Sequence, residues 1–251
     1  MLKVENLCFG YNKDPILKEI NFTVKKGQFT CLLGANGSGK TTILKCLNGI
    51  LKPEAGAISL DQCRLEDMSQ KGIARKICLV PQEHSSVFSY QSIEVVVMGI
   101  TPYLGFGAQP SAEVYNRAES ILEKLNALDL AYRKYNNLSG GEKQLVLIAR
   151  ALMQDTDYII MDEPTSHLDF KNKHLILMEL KNMAHKGYGV ITALHDPNLA
   201  LKFCDQVIII KDGEVLEKGP TMTTITDQNL GRAYDINIEV NHSRRGIEIG
   251  L

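Results

Sequence analysis

Short runs of β-branched and aliphatic residues recur between chain-breaking residues: Phe29–Leu33, Ile77–Val80, and residues 158–161, 190–194 and 207–210. Several lack the alternation of a half-exposed strand, which predicts strands covered on both faces in a parallel sheet. Helical stretches between some of them extend this to a layered α/β fold. Residues 206–210, Lys211, Asp212-Gly213 and residues 214–217 predict a hairpin closed by a two-residue Asp-Gly turn. Near the start, Val4, Leu7 and Phe9, then Ile20, Phe22 and Val24, predict further strands in antiparallel pairing. From about Ser111 to Leu152 the period becomes helical. Val114, Ala118, Ile121, Leu122, Leu125 and Leu128 fall on one face, with Ser111 as N-cap. The predicted organisation is one domain: an α/β core of residues 1–82 and 146–220, an inserted helical subdomain at 83–145, and a small polar appendage at 221–251.

Composition narrows the class. The chain has 251 residues, 44% apolar and 23% charged, with a formal net charge of −1. That is ordinary globular composition with no overall electrostatic pull toward nucleic acid. Met1-Leu2-Lys3-Val4-Glu5 leads directly into a strand pattern rather than a signal peptide. Apolar runs such as residues 95–98 fall far short of the ~20 residues that cross a bilayer. The six cysteines (Cys8, Cys31, Cys46, Cys63, Cys78 and Cys204) are scattered, without metal-ligand spacing. The expectation is a soluble, cytosolic polypeptide whose membrane role, if any, comes through a partner.

The chemistry begins with Gly34-Ala35-Asn36-Gly37-Ser38-Gly39-Lys40-Thr41, which fits G-x-x-x-x-G-K-[ST] between a predicted strand and a helix through Ile43, Leu44 and Leu47. Glycines let such a loop curl so that its N–H groups converge, and the helix N-terminus adds partial positive charge. Lys40 is expected to reach the β- and γ-phosphates, Thr41 to hold Mg²⁺, and the adjoining Thr42 to join the ATP-binding set. A chance match in a chain of this length has odds of roughly one in a hundred. A second feature is the buried-strand pattern Tyr158-Ile159-Ile160-Met161 ending in Asp162-Glu163. Alternation along a strand would give the two carboxylates different tasks, Asp162 beside the metal and Glu163 toward the attacking water. Third, Leu138-Ser139-Gly140-Gly141-Glu142 opens a helix with Leu145, Ile148, Ala149 and Leu152 on its apolar side. One ATP does not need two anion cradles in the same chain, so two chains packed head to tail would use both.

Together these residues resemble an ATP-binding cassette (ABC) ATPase over residues 1–220, which implies a P-loop NTPase core of RecA-like type. Lys40 and Thr41 match the family's Walker A motif and Asp162-Glu163 its Walker B. Residues 138–142 match the signature loop, with Glu142 where many members have Gln. The resemblance implies further roles: Gln82 in the Q-loop as a Mg²⁺ ligand, Ser166-His167-Leu168-Asp169 as the D-loop crossing a dimer interface, His195 as the switch histidine at the γ-phosphate, and Tyr11 stacked on adenine. Ser139, Gly140, Gly141, Glu142 and Asp169 would then meet ATP across the dimer. His84, His174, His185 and His242 match no role, and His167 fills a variable D-loop position.

Residues 84–99, Thr101-Pro102-Tyr103-Leu104-Gly105 and His195-Asp196-Pro197-Asn198-Leu199-Ala200 look like the branch serving importers of iron–siderophore, haem and cobalamin complexes. Some relatives in that branch handle molybdate or tungstate. The implied partners are a second copy of the chain, polytopic permease subunits and, indirectly, an extracytoplasmic binding protein. The implied location is the cytoplasmic face of the membrane. Phe88, Tyr90 and residues 95–98 could instead simply pack the helical subdomain. Two alternatives stand beside the importer: a soluble ABC ATPase, as in iron–sulfur assembly, and the ATPase of a separate-chain exporter. DNA-repair members carry a long coiled coil between P-loop and signature, where this chain has only 97 residues between Lys40 and Leu138, and translation factors carry two cassettes.

Overall fold

The computed structural model describes residues 1–12, 14–81, 89–105, 107–166, 168–237, 239–243 and 246–250, with residues 239, 241–243 and 246–250 described by backbone alone. The chain opens with β1 (Leu2–Tyr11) and β2 (Asp14–Val24), an antiparallel pair, followed by β3 (Phe29–Leu33), the P-loop and α1 (Lys40–Leu47). Next, β4 (Ala55–Leu60) returns antiparallel to β1 and pairs with β5 (Cys63–Arg64), giving a sheet of order β2-β1-β4-β5. A short α2 (Gln70–Ala74) leads to β6 (Ile77–Val80). The helical layer follows: α3 (Ser92–Val97), a 3-10 stretch at Met98–Tyr103, α4 (Ala112–Lys124) and α5 (Gly140–Gln154). The chain then alternates through β7 (Tyr158–Asp162), α6 (Phe170–His185), β8 (Gly189–Leu194), α7 (Pro197–Phe203) and β9 (Gln206–Lys211). It closes with β10 (Glu214–Pro220), α8 (Thr221–Thr224), α9 (Asp227–Tyr234) and the hairpin β11 (Glu239–Ser243) and β12 (Gly246–Gly250).

The second sheet has the order β10-β9-β3-β8-β7-β6, parallel throughout except for β10. Every residue of β3, β7 and β8 is buried, as the unbroken apolar runs predict. Alternation sorts their side chains between two cores. Phe29, Cys31, Leu33, Ile159, Met161 and Val190 face the helical layer, with α5, α6 and α7. Leu32, Tyr158, Ile160 and Ile191, with Ile208 of β9, face α1 and the N-terminal sheet. Truncating one of these, Ile160 for instance, to Ala is expected to cost about 2–5 kcal/mol.

The Asp-Gly hairpin forms as predicted. Asp212 and Gly213 have φ of 48° and 79°, the two positive values that a type I′ turn requires. The helical face holds through Ala118, Ile121, Leu122 and Leu125, all buried, but Leu128 is 42% exposed and does not share it. The reason is a break in phase: α4 ends at Lys124, Asn126 turns at φ 51°, and in the 3-10 turn Leu128–Leu130 it is Leu130 that faces inward. Val95, Val96 and Val97 do pack the helical layer, and Tyr90 packs against it, while Met98 is partly exposed. Because β3, β8 and β7 are neighbours and parallel, their C-terminal ends lie along one edge of the sheet, the edge at which doubly wound sheets bind ligands.

Candidate active site

Gly34 follows β3 directly, and a Cβ there would lie 2.2 Å from the carbonyl oxygen of Ile210 on β9. Only glycine lets the loop leave the sheet so close to its neighbour. Gly39 holds φ at 104° at the entry to α1, where a Cβ would press within 2.8 Å of Leu17. The loop between them, with Asn36, Gly37 and Ser38, is tied to the N-terminal sheet region: Gly213 N–H donates to Ser38 O at 3.2 Å, and Lys18 N–H donates to Gly213 O at 2.8 Å.

Lys40, Ser38 and Thr42 are buried. The Lys40 ammonium bends back over its own loop, donating to Gly34 O and Ala35 O at 2.9 Å each. Burial lowers its pKa, opposed by the nearby charges of Glu163 and Asp162. A buried cation held by two neutral carbonyls, with helix N–H groups around it, is an electrostatic site for an anion.

Asp162 ends β7 with its carboxylate buried, which pushes its pKa up, while the Thr41 hydroxyl bonding to it pulls the other way. Its Oδ1 is buried without a hydrogen-bond partner, and so is Ser38 Oγ in the loop. Such orphaned atoms are costly unless something fills the site. Two hard oxygens, the Asp162 carboxylate and the Thr41 hydroxyl, suit Mg²⁺ in donor type. Glu163 does not continue the strand: it takes φ 50°, a strained left-handed turn for a non-glycine residue. The turn sets its side chain against His195, and Glu163 Oε1 contacts His195 Nε2. Ser166 steadies the turn, its N–H and hydroxyl donating to Glu163 O at 3.2 and 3.1 Å.

The structure therefore brings Lys40, Thr41, Asp162, Glu163 and His195 together from three parallel strand ends. The other predicted residues form separate groups. Ser139, Gly140, Gly141 and Glu142 start α5 in a capping box: Ser139 Oγ accepts from Glu142 N–H at 3.4 Å, and Glu142 Oε2 accepts from Ser139 N–H at 2.7 Å. Asp169 caps α6, its Oδ1 accepting from Asn172 N–H at 2.7 Å. Tyr11, at the end of β1, is 45% exposed and braced edge-on by Phe9 at a ring distance of 4.9 Å. Gln82, His84, Phe88 and His167 lie outside the described residues, and His242 is described by backbone alone. His174 lies between the tilted ring of Phe170 and the edge-on ring of Phe203, with Nε2 at 2.7 Å from Lys202 Nζ. His185 lies in the last turn of α6.

Two neighbours of the site went unread in the sequence. Tyr234 of α9 lies beside the Gly34 backbone, near Cys31 and Asp196, with its hydroxyl buried and lacking a hydrogen bond of good geometry. The spacing of Leu230, Ala233 and Tyr234 was its available signal, a helical face whose two leading members are buried. Arg133 is the other, donating from Nη1 to Glu142 Oε1 at 2.7 Å. Its position, nine residues before its partner, carries no motif.

The chain resembles known proteins along most of its length. The profile of the ABC transporter family matches residues 17–166. An iron chelatin transport ATP-binding protein of Helicobacter pylori is 37% identical over 95% of this chain and 94% of its own. The hemin import ATP-binding protein HmuV of Shewanella denitrificans is 34% identical over 97% of each chain. A metal-chelate type ABC transporter solved in an inward-facing conformation superposes with a TM-score of 0.84 at 31% identity, covering 99% of this chain and 95% of its own. With more than half its length inside the family profile, and relatives matched almost end to end, the chain belongs to the ATP-binding subunits of ABC transporters, which are ATPases.

Proposed function

We propose that two copies of this chain close around two ATP molecules and use their hydrolysis to drive uptake of a metal chelate, of the iron–chelate or haem class, through permease subunits. The observation that carries the chemical part is the convergence of Lys40, Thr41, Asp162, Glu163 and His195 at the ends of three parallel strands. Lys40 and the N–H groups of the loop bind the phosphates, with Lys40 exchanging its two carbonyl acceptors for phosphate oxygens. Thr41 and Asp162 would hold Mg²⁺, with Gln82 from the adjoining segment. Bound there, the ion would offset phosphate charge. Glu163 orients the attacking water and accepts its proton, and His195 fixes the carboxylate in the direction required. Tyr11 offers its exposed ring to the adenine.

Ser139, Gly140 and Gly141 reach the partner copy's nucleotide, with Glu142 capping the same helix end and Asp169 at the same interface. The helical subdomain expected within residues 83–145 would move as the dimer closes. The importer reading is supported by relatives whose names refer to iron chelatin and hemin and by a structural neighbour of metal-chelate type. Among the described residues no helix is long and apolar enough to cross a membrane, which fits a subunit held at the cytoplasmic face by its permease. An affinity pull-down of the tagged chain from gently solubilised native membranes tests this. Recovery of a polytopic protein, with two copies of each, supports the transporter. Recovery of soluble proteins alone overturns the importer and brings forward a cytosolic role such as iron–sulfur assembly, leaving the ATPase chemistry intact.

A further inference from the structure

The capping box at the start of α5 sets up an electrostatic conflict. Glu142 completes the box, but its carboxylate also stands at the helix end where Ser139, Gly140 and Gly141 are to receive phosphate. By helix geometry the N–H groups of Gly140 and Gly141 have no intrahelical acceptor and are free for an anion. A full negative charge beside them competes for the same positive potential. The carboxylate stays ionised: its bond from Ser139 N–H first, then Arg133, holds its pKa below the usual carboxylate range.

Arg133 resolves the conflict. Its Nη1 donates to Glu142 Oε1 at 2.7 Å, so both carboxylate oxygens are engaged, one by the box and one by a cation. The guanidinium is presented from a fixed strap. Arg133 O accepts from the N–H and the hydroxyl of buried Ser92 at 2.9 and 3.0 Å, and the flanking Ala131 O and Tyr135 N–H bond Ile93 N–H and Tyr90 O. We propose that Arg133 is a positioning residue for ATP-driven dimerisation: it cancels the Glu142 charge at the Ser139-Gly140-Gly141 cradle, so the carboxylate can cap the helix without repelling the partner's nucleotide. This rests on the shared-site reading of the preceding subsection.

A double-mutant cycle tests it in a Glu163→Gln background, which is expected to hold ATP. The readout is the ATP concentration giving half-maximal dimer by light scattering. Arg133→Ala is expected to raise that concentration about 10-fold, the scale of one uncompensated charge near a partly screened surface. When Glu142→Gln is also present, the same change is expected to raise it less than about 2-fold, since a neutral amide leaves nothing to compensate. Arg133→Lys, which keeps the charge, is expected to stay within about 3-fold of the parent. Equal penalties with and without Glu142→Gln, no penalty at all, or a Lys variant as impaired as the Ala variant would each overturn the proposal alone. Normal ATP-driven dimerisation of a Gly140→Trp variant would overturn the shared-site reading and this proposal with it.

Discussion

The carboxylate of Glu163 is held against Nε2 of His195 across the ends of two adjacent parallel strands, β7 and β8. The contact depends on the left-handed turn at Glu163, since a strand continued past Asp162 would aim the side chain elsewhere. The strained turn therefore sets a direction, toward His195. Glu163→Gln keeps the shape and removes the proton acceptor. It is expected to bind ATP, to hydrolyse it at least ~10²-fold more slowly, and to accumulate as an ATP-bound dimer. Steady-state turnover near the parent rate would remove Glu163 from the role of base.

Asp162 gives a prediction of opposite sign for stability. Its buried carboxylate has one oxygen without a partner, and burial raises its pKa above the ordinary 3.8. A raised carboxylate pKa means the ionised form is penalised in the folded chain. The penalty is absent where Asp162 is protonated in both states, and grows as pH rises from 3.8 through the folded value. Asp162→Asn is thus expected to stabilise the nucleotide-free chain at neutral pH by about 1 kcal/mol, a rise of roughly 2–4 °C in Tm. The gain should shrink toward pH 4. The same variant should lose the extra Tm that Mg²⁺ with ATP gives the parent. A lower Tm for the free variant would mean that the carboxylate is satisfied without a ligand.

How far the sequence carries depends on whether a residue acts through local pattern or through distant packing. The central strands were legible because burial on both faces leaves an unbroken apolar run, and the loop glycines because their positive φ values are ones that other residues rarely adopt. Asp162 was legible as a carboxylate at a buried strand's end, but the side chain of Glu163 is aimed by a backbone φ that no strand rule supplies. Leu128 misled because the helical period was carried past Lys124, where Asn126 turns the chain. Tyr234 and Arg133 escaped because what they lie against, Gly34 and Glu142, belongs to other elements: a helical period shows which face of α9 is buried, not what it meets, and Arg133 has no motif.

Lys40 links nucleotide affinity to pH. Burial lowers its pKa below 10.5 in the free chain, and phosphate charge beside it would raise it again. Between those two values binding takes up a proton, so affinity falls as pH rises through the lowered value, earlier than for an exposed lysine. Calorimetry in alkaline buffers of different ionisation enthalpy should show net proton uptake on ATP binding in the parent and its loss in Lys40→Ala. That variant should also bind ATP roughly 10–100-fold more weakly, the value of a hydrogen bond to a charged group. Equal affinity in parent and variant would separate Lys40 from the phosphates.

Gly34 and Gly37 lie three residues apart in the same loop and should respond differently to one added methyl group. At Gly34 a Cβ would sit 2.2 Å from Ile210 O, and that oxygen belongs to a strand packed inside the sheet. Relief requires moving β9 or the loop, so Gly34→Ala is expected to cost about 2–4 kcal/mol in urea unfolding. At Gly37 nothing lies within 4 Å of the added atom, and only the φ of 79° resists, at about 1–2 kcal/mol. Gly34 also holds a positive φ, 156°, so comparing the two variants without nucleotide reads the steric cost that Gly34 adds to a dihedral cost both positions carry. A Gly37→Ala loss equal to that of Gly34→Ala would mean that left-handed geometry, rather than contact with Ile210, makes glycine necessary at the mouth of the site.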